Sequence, residues 1–137
     1  MLCQYTLLPS PNTSEWTMPE KVVPMIHVPD VSATAEWYTS IGFKQIRHNE
    51  EDGEINWALL TFGNSELMLQ AGGKASVDHR REVDLYIHTD NIEDMHRRLK
   101  DRVQLVEDLH DTFYGMREFI LRDINGFWIT FGQPIQT

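Results

Sequence analysis

Two short stretches of the sequence have the same pattern: residues 24–31 read PMIHVPDV and residues 85–92 read LYIHTDNI. In each, an isoleucine and a histidine end an apolar segment, and an aspartate or asparagine three residues after the histidine can cap a following helix. Each stretch therefore predicts a strand that leads directly into a helix. The recurrence of the pattern indicates one structural unit that the chain contains twice.

The residues around the first stretch extend it to a βαβββ unit. Residues 22–28 are rich in β-branched and apolar side chains and predict a strand. Asp30 or Ser32 is expected to cap a helix that ends at Gly42. Turn sequences, EEDGE and GNS, separate three further strands that we predict at 44–48, 55–62 and 66–70.

The second copy has the same order of elements. Residues 82–89 predict a strand, and Asn91 is expected to cap a helix with Asp94 as the acidic partner of a capping box. Met95 and Leu99 share the inner face of that helix. Three more strands are predicted within 103–109, 113–123 and 126–132, the last after an Asn-Gly turn.

The sequence therefore predicts an α+β fold in which two βαβββ modules form a single domain, residues 22–133. The first module is expected at 22–71 and the second at 82–133, with a polar linker at 72–81. Residues 1–21 are expected to form a mobile arm.

Composition excludes several classes of protein. The 137 residues carry a net charge of −9, which opposes binding to nucleic acid and to anionic lipid. No apolar run approaches the roughly 20 residues of a membrane span. The single cysteine, Cys3, excludes an internal disulfide and a cysteine-rich zinc site. Residues 1–21 lack the features of a secretory signal, so we expect a cytoplasmic protein.

Side chains alternate across a strand, so parity predicts which residues share a face. One face of each module's first strand is apolar and is expected to pack under a helix. In the second module this face has Val83, Leu85 and Ile87. The opposite face is mixed, with polar, aromatic and thioether side chains like those that line ligand clefts. We predict that the mixed faces bind ligand through nine residues: His27, Trp57, Glu66, Met68, Asp84, Tyr86, His88, Trp128 and Thr130.

Two alternatives to these assignments stay open. Trp57 is equally compatible with a core position, because the parity of its strand is ambiguous. His27 and His88 are also compatible with partly exposed positions that have no role.

Two groups of motifs point to a known family. In the first helix, residues 37–38 (Trp-Tyr) are followed by residues 42–43 (Gly-Phe), and residues 117–119 (Arg-Glu-Phe) precede a turn at residues 123–126 (Asp-Ile-Asn-Gly). Together with the doubled unit, these motifs resemble the vicinal oxygen chelate superfamily. Within it, they are most similar to the bleomycin-resistance-like branch of the glyoxalase/bleomycin resistance protein/dioxygenase family. The resemblance covers residues 22–133, and Ile124 stands where the family usually has proline.

The resemblance implies a cup-shaped mixed sheet and usually a homodimer. It also implies a divalent metal at four inward positions, which fall here on Val23, Glu66, Asp84 and Thr130. Valine cannot ligate a metal, and a catalytic metal generally needs three good protein ligands, so we predict no metal and no cofactor.

The two histidines do not simply restore that set. His27 and His88 lie four residues beyond the metal positions Val23 and Asp84, which is about 13 Å further along each strand at roughly 3.3 Å per residue. One divalent ion held in a non-standard site by both histidines with Glu66 and Asp84 stays an alternative.

These residues support three functional hypotheses. The first is a metal-free protein that binds a small cationic or aromatic molecule, as bleomycin resistance proteins do in antibiotic resistance. Tyr86 and the tryptophans would stack on the ligand, with Glu66 and Asp84 as counter-charges. The second is an enzyme of the isomerase or lyase type that uses a non-standard metal, or Glu66 or a histidine as a general base. The third is a structural module without ligand.

Overall fold

The computed structural model describes residues 20–76 and 78–136. Of the predicted arm at residues 1–21, only the last two residues are among them, and Cys3 lies outside. The described residues divide into two compact units, one that ends at Gly73 and one that begins at Lys74.

The first unit has one helix and a four-stranded mixed sheet. Its elements are β1 (Met25–Val28), α1 (Val31–Ser40), β2 (Lys44–Glu51), β3 (Glu54–Phe62) and β4 (Ser65–Ala71). The strand order is β1-β4-β3-β2. β1 and β4 are parallel, and the other neighbours are antiparallel. A helix between β1 and the rest of the sheet is what a parallel pair requires, because a short turn cannot connect parallel strands.

The second unit repeats this arrangement. Its elements are β5 (Asp84–His88), α2 (Ile92–Leu99), β6 (Gln104–Asp111), β7 (Met116–Arg122) and β8 (Trp128–Pro134). The strand order is β5-β8-β7-β6, with β5 and β8 parallel. The predicted α+β fold of two βαβββ modules is therefore confirmed. Among the described residues, no helix is long and apolar enough to cross a bilayer.

The two helices begin differently. Asp30 caps α1 as expected, with its Oδ1 accepting a hydrogen bond from the Ala33 amide at 3.0 Å. The capping box predicted for α2 is wrong, because the Asn91 side chain makes no capping hydrogen bond. The amide of Ile92 instead donates to Gln133 Oε1 of β8 at 2.7 Å.

The carboxylate expected to complete that capping box has other partners. Asp94 pairs with Arg97 and Arg98, which lie three and four residues later on the same helix. Neighbours at this spacing face each other on a helix surface, so both arginines can pair with this carboxylate.

Alternation along the strands places the buried side chains on one face of each sheet. Ile26, Val28, Leu67 and Leu69 are buried in the first unit, as are Ile87, Ile129 and Phe131 in the second. Val83 is an exception, since it lies before the start of β5 and is 48% exposed. The first strand of each module is shorter than predicted, because pairing begins only at Met25↔Met68 and Asp84↔Trp128.

Candidate functional site

The mixed face of the first unit is formed by side chains that strand register brings side by side. His27 of β1 is beside Gln70 of β4, and Met25 is beside Met68. On the other edge of β4, Gln70 pairs with Trp57 of β3. His27 is exposed, Met25 is 44% exposed and Met68 is partly buried, whereas Trp57 is only 5% exposed. Of the predicted ligand contacts here, Trp57 is thus the least accessible.

A lysine from outside the sheet neutralises the carboxylate of this face. The Nζ atom of Lys21 lies 2.7 Å from Oε1 of Glu66, whose side chain is 18% exposed. Lys21 belongs to the segment predicted as an arm, which sequence periodicity could not relate to β4. The predicted counter-charge at Glu66 therefore already has a cation of its own.

On the second unit, the register groups the remaining predicted site residues. Asp84 is beside Trp128, Tyr86 beside Thr130, and His88 beside Gly132. Tyr86 is 43% exposed and its ring centroid lies 5.0 Å from that of His88. Thr130 is only 8% exposed, whereas Asp84, Tyr86 and His88 of β5 are all exposed.

The carboxylate of Asp84 also has an internal partner. Arg80 forms an ion pair with Asp84, and its guanidinium lies 4.1 Å from the ring centroid of Trp128. A cation over an indole is a favourable arrangement. Arg80 therefore makes with Asp84 and Trp128 the contacts that we predicted for a cationic ligand.

The family's metal does not fit the residues at its four positions. Val23 has no donor atom, and Thr130 offers a neutral hydroxyl. Glu66 and Asp84 are paired with a lysine and an arginine. In the part of the chain that the structure describes, no three histidine, cysteine, aspartate or glutamate side chains form a group that could hold a metal ion. A divalent metal requires several anionic or imidazole donors at one point.

Glu118 is a buried carboxylate on the mixed face that the sequence reading did not assign to the site. It is 3% exposed, and it accepts hydrogen bonds from two tyrosines. The hydroxyl of Tyr86 donates to Oε2 at 2.7 Å and that of Tyr114 to Oε1 at 2.8 Å. Alternation in β7 carries the missed signal, because the core residues Phe119 and Leu121 leave Glu118 on the opposite face.

Burial and the bonds to Glu118 raise the pKa values of the two tyrosines. For Tyr86, loss of water contact is the larger cause and the Glu118 carboxylate the second. For Tyr114, the hydrogen bond to Glu118 is the larger cause. In both, the neutral hydroxyl is favoured because it donates to an acceptor that would repel a phenolate.

The alkaline stability of the protein is expected to depend on Tyr86. Unfolded tyrosines release their protons near pH ~10, whereas the raised pKa values keep the folded ones protonated, so the stabilisation is complete below about pH 10 and is lost as the pH rises further. The melting temperature should therefore fall less between about pH 9 and 11 in Tyr86→Phe than in the wild type. Tyr114→Phe should change it in the same direction. An alkaline decrease that is identical in all three proteins would contradict this assignment.

Two cavities lie within the units, and the first of them includes Arg80, the partner of Asp84. One of about 430 Å3 is lined by residues 76 and 79–83 with Phe127. Another of about 530 Å3 lies between the start of α1 and the β2–β3 hairpin. Neither is lined by any of the nine predicted ligand contacts.

The two repeated βαβββ units, each with one pair of parallel strands, agree with the family that the sequence resembles. The family model of the Glyoxalase/Bleomycin resistance protein/Dioxygenase superfamily matches residues 22–131. The chain belongs to this superfamily. No curated protein matches the sequence.

Several solved structures have a fold similar to that of this chain. TioX from Micromonospora sp. ML1 is 17% identical, with 85% of this chain and 100% of that chain covered and a TM-score of 0.70. A bleomycin-binding protein complexed with bleomycin is 16% identical, with 84% and 98% covered and a TM-score of 0.68. A superfamily protein from Alicyclobacillus acidocaldarius is 16% identical, with 85% and 92% covered and a TM-score of 0.70. At these identities, the likeness shows the shared fold.

Proposed function

We propose that this protein binds a small organic molecule, cationic or aromatic, without the divalent metal of the superfamily's enzymes. The observation that carries the proposal is the exposure of large side chains within strands on the mixed faces, where Met25 is 44% and Tyr86 43% exposed. Aromatic and thioether groups gain free energy when a ligand covers them. Scattered apolar residues are normal on surfaces, but Met25 and Tyr86 each share a sheet face with a histidine and a carboxylate of their own unit.

Charge and fold both support this ligand class. The net charge of −9 favours cations over anions. One protein of similar fold was solved in complex with bleomycin, and another is a bleomycin resistance determinant encoded on the transposon Tn5. We extend to this chain only the binding of a small molecule. The homodimer and the cytoplasmic location stay predictions.

An enzymatic function has less support. A general base must be free to take a proton from the substrate. Glu66, the acidic candidate, is paired with Lys21 at 2.7 Å. His27 and His88 are exposed on their strands, and among the described residues no carboxylate is within ion-pair distance of either ring. Neither imidazole therefore has an acidic partner that would orient it as a base.

Binding can be tested directly with purified protein. Bleomycin, the aromatic cation ethidium and the aromatic anion naphthalenesulfonate are added separately, and the melting temperature and the heat of binding are measured. Because the net charge of −9 opposes anions, we expect bleomycin or ethidium to stabilise the protein more than the aromatic anion does, and chelator to leave the effect unchanged. Stabilisation that requires added zinc or manganese, or none with either cation, would contradict the proposal. Metal analysis of protein purified without chelator is the matched control.

Tyr86 is expected to contribute measurably to this binding. Tyr86→Ala removes a ring that is 43% exposed on the mixed face, and ligand affinity should fall about tenfold. Ile124→Ala is the matched control, since Ile124 is 45% exposed in the turn between β7 and β8. Calorimetric titration with ethidium compares the two variants. Equal affinities would place the ligand away from the β5 surface.

A further inference from the structure

The carboxylates on the mixed faces of β4, β5 and β7 differ in their partners. Glu66 pairs with Lys21, and Asp84 pairs with Arg80. Glu118 accepts only the two tyrosine hydroxyls, and among residues 20–76 and 78–136 no lysine, arginine or histidine lies within ion-pair distance of it. Two of the three charges are thus compensated within the chain. The third is buried without a cation.

The histidine closest to Glu118 in the register does not compensate it. His110 is opposite Glu118 in the β6–β7 pair. Its Nε2, however, lies 3.5 Å from Glu107, and its Nδ1 is 2.9 Å from the carbonyl oxygen of Asp108. A buried carboxylate is costly unless hydrogen bonds or an opposite charge stabilise it. Two hydroxyl donors reduce this cost, but they leave the negative charge in place.

Four exposed rings lie along the two sides of this charge, and we call them the aromatic strip: His88, Tyr86, Tyr114 and Phe113. The rings of His88 and Tyr86 are 5.0 Å apart, and those of Tyr114 and Phe113 are 5.1 Å apart. Glu118 joins the two pairs through the tyrosine hydroxyls. Phe113 is 99% exposed and Tyr114 is 57% exposed, so the strip is accessible.

A glycine makes this arrangement possible. Tyr86 reaches Glu118 by crossing Gly132 of β8, where a Cβ atom would overlap the tyrosine hydroxyl. Glycine weakens a strand interior and is often found where another group approaches closely. The close approach of Tyr86 therefore explains why β8 has a glycine at residue 132.

We propose that the aromatic strip is a binding site for an organic cation, whose charge lies over the rings of Tyr86 and Tyr114 with Glu118 behind them. The inference rests on the proposed function and narrows it to one site and one ligand class. Ring faces attract cations, and quaternary ammonium groups are bound by several rings at once. The buried charge of Glu118 adds a Coulombic attraction that surrounding water screens only in part. Glu118 does not touch the ligand; it positions the tyrosines and supplies charge.

Two probes of the same shape test the role of charge. They are para-hydroxyphenyl-trimethylammonium and its uncharged isostere para-tert-butylphenol, each titrated at neutral pH and followed by the amide signals of Tyr86 and Tyr114 in NMR spectra. The wild type is expected to bind the cation about tenfold more tightly than the isostere. Glu118→Gln keeps the side-chain shape and an acceptor oxygen. This substitution should lower the affinity for the cation about tenfold and leave the affinity for the uncharged isostere unchanged.

A second variant covers the case that Glu118→Gln does not fold. Tyr114 is 57% exposed in the β6–β7 turn, so Tyr114→Leu is expected to fold and to lower cation affinity about fivefold. Ile124→Ala is the control outside the strip. Cation affinity that Tyr114→Leu leaves unchanged would overturn the proposal.

Other results separate this inference from the proposed function. If Glu66→Gln or Asp84→Asn abolishes cation binding and Glu118→Gln does not, the strip is the wrong site and the proposed function stands. If the wild type does not distinguish the two probes, the charge assignment is wrong. If it binds neither probe and neither bleomycin nor ethidium, both proposals fail.

Discussion

Gly126→Ala is expected to lower the free energy of unfolding by about 3 kcal/mol or more. Gly126 has a φ of +91°, a conformation that costs an L residue about 1–2 kcal/mol. In addition, a Cβ atom at this position would overlap the backbone carbonyl oxygen of Ser76. The backbone cannot move aside freely, because the Ser76 amide donates to the Asn125 carbonyl oxygen at 3.1 Å.

Gly115 provides a control with nearly the same φ angle. Its φ is +88°, and a Cβ atom there would have no other atom within 4 Å. Gly115→Ala should therefore cost only the conformational part, about 1–2 kcal/mol. Urea denaturation of both variants measures the difference. Equal losses would show that the contact with Ser76 does not restrict the turn.

Periodicity predicted the fold because it reports directly on burial. The alternation in residues 85–88 and 128–131 placed Ile87, Ile129 and Phe131 in the core, where they are 9%, 0% and 0% exposed. Strand ends were less predictable, because they depend on where a partner strand stops. Val22 reads as strand by composition, yet it is 93% exposed and precedes the first paired residue of β1.

The ion pairs of the mixed faces could not be predicted in the same way. Lys21 and Arg80 lie outside the strands, in segments without periodicity, so nothing in the sequence related them to Glu66 and Asp84. Glu118, in contrast, is predictable by parity, because it alternates with the core residues Phe119 and Leu121. The nine predicted ligand contacts and the expected absence of a metal stay predictions.

Asp123→Ala is expected to lower the free energy of unfolding by about 4 kcal/mol. Asp123 is 6% exposed, and its Oδ1 accepts the amides of Asn125 at 2.7 Å and Phe127 at 2.9 Å. A hydrogen bond to a charged group contributes about 1.5–3 kcal/mol, and alanine would leave both buried donors without this acceptor. Asp123→Asn keeps an amide oxygen for the same donors, so its loss should be at most about 2 kcal/mol.

The same substitution should also affect the aromatic strip. The Asp123 turn leads into β8, whose Gly132 lies beneath Tyr86. The Asp123 amide donates a hydrogen bond to the Phe127 carbonyl oxygen at 2.8 Å, and this bond closes the turn. If Asp123→Ala loosens the turn, the start of β8 should open more often. Urea denaturation measures the stability, and amide hydrogen exchange of residues 128–132 measures the opening. Equal exchange rates of these amides in Asp123→Ala and Asp123→Asn would show that the stability of β8 does not depend on its turn.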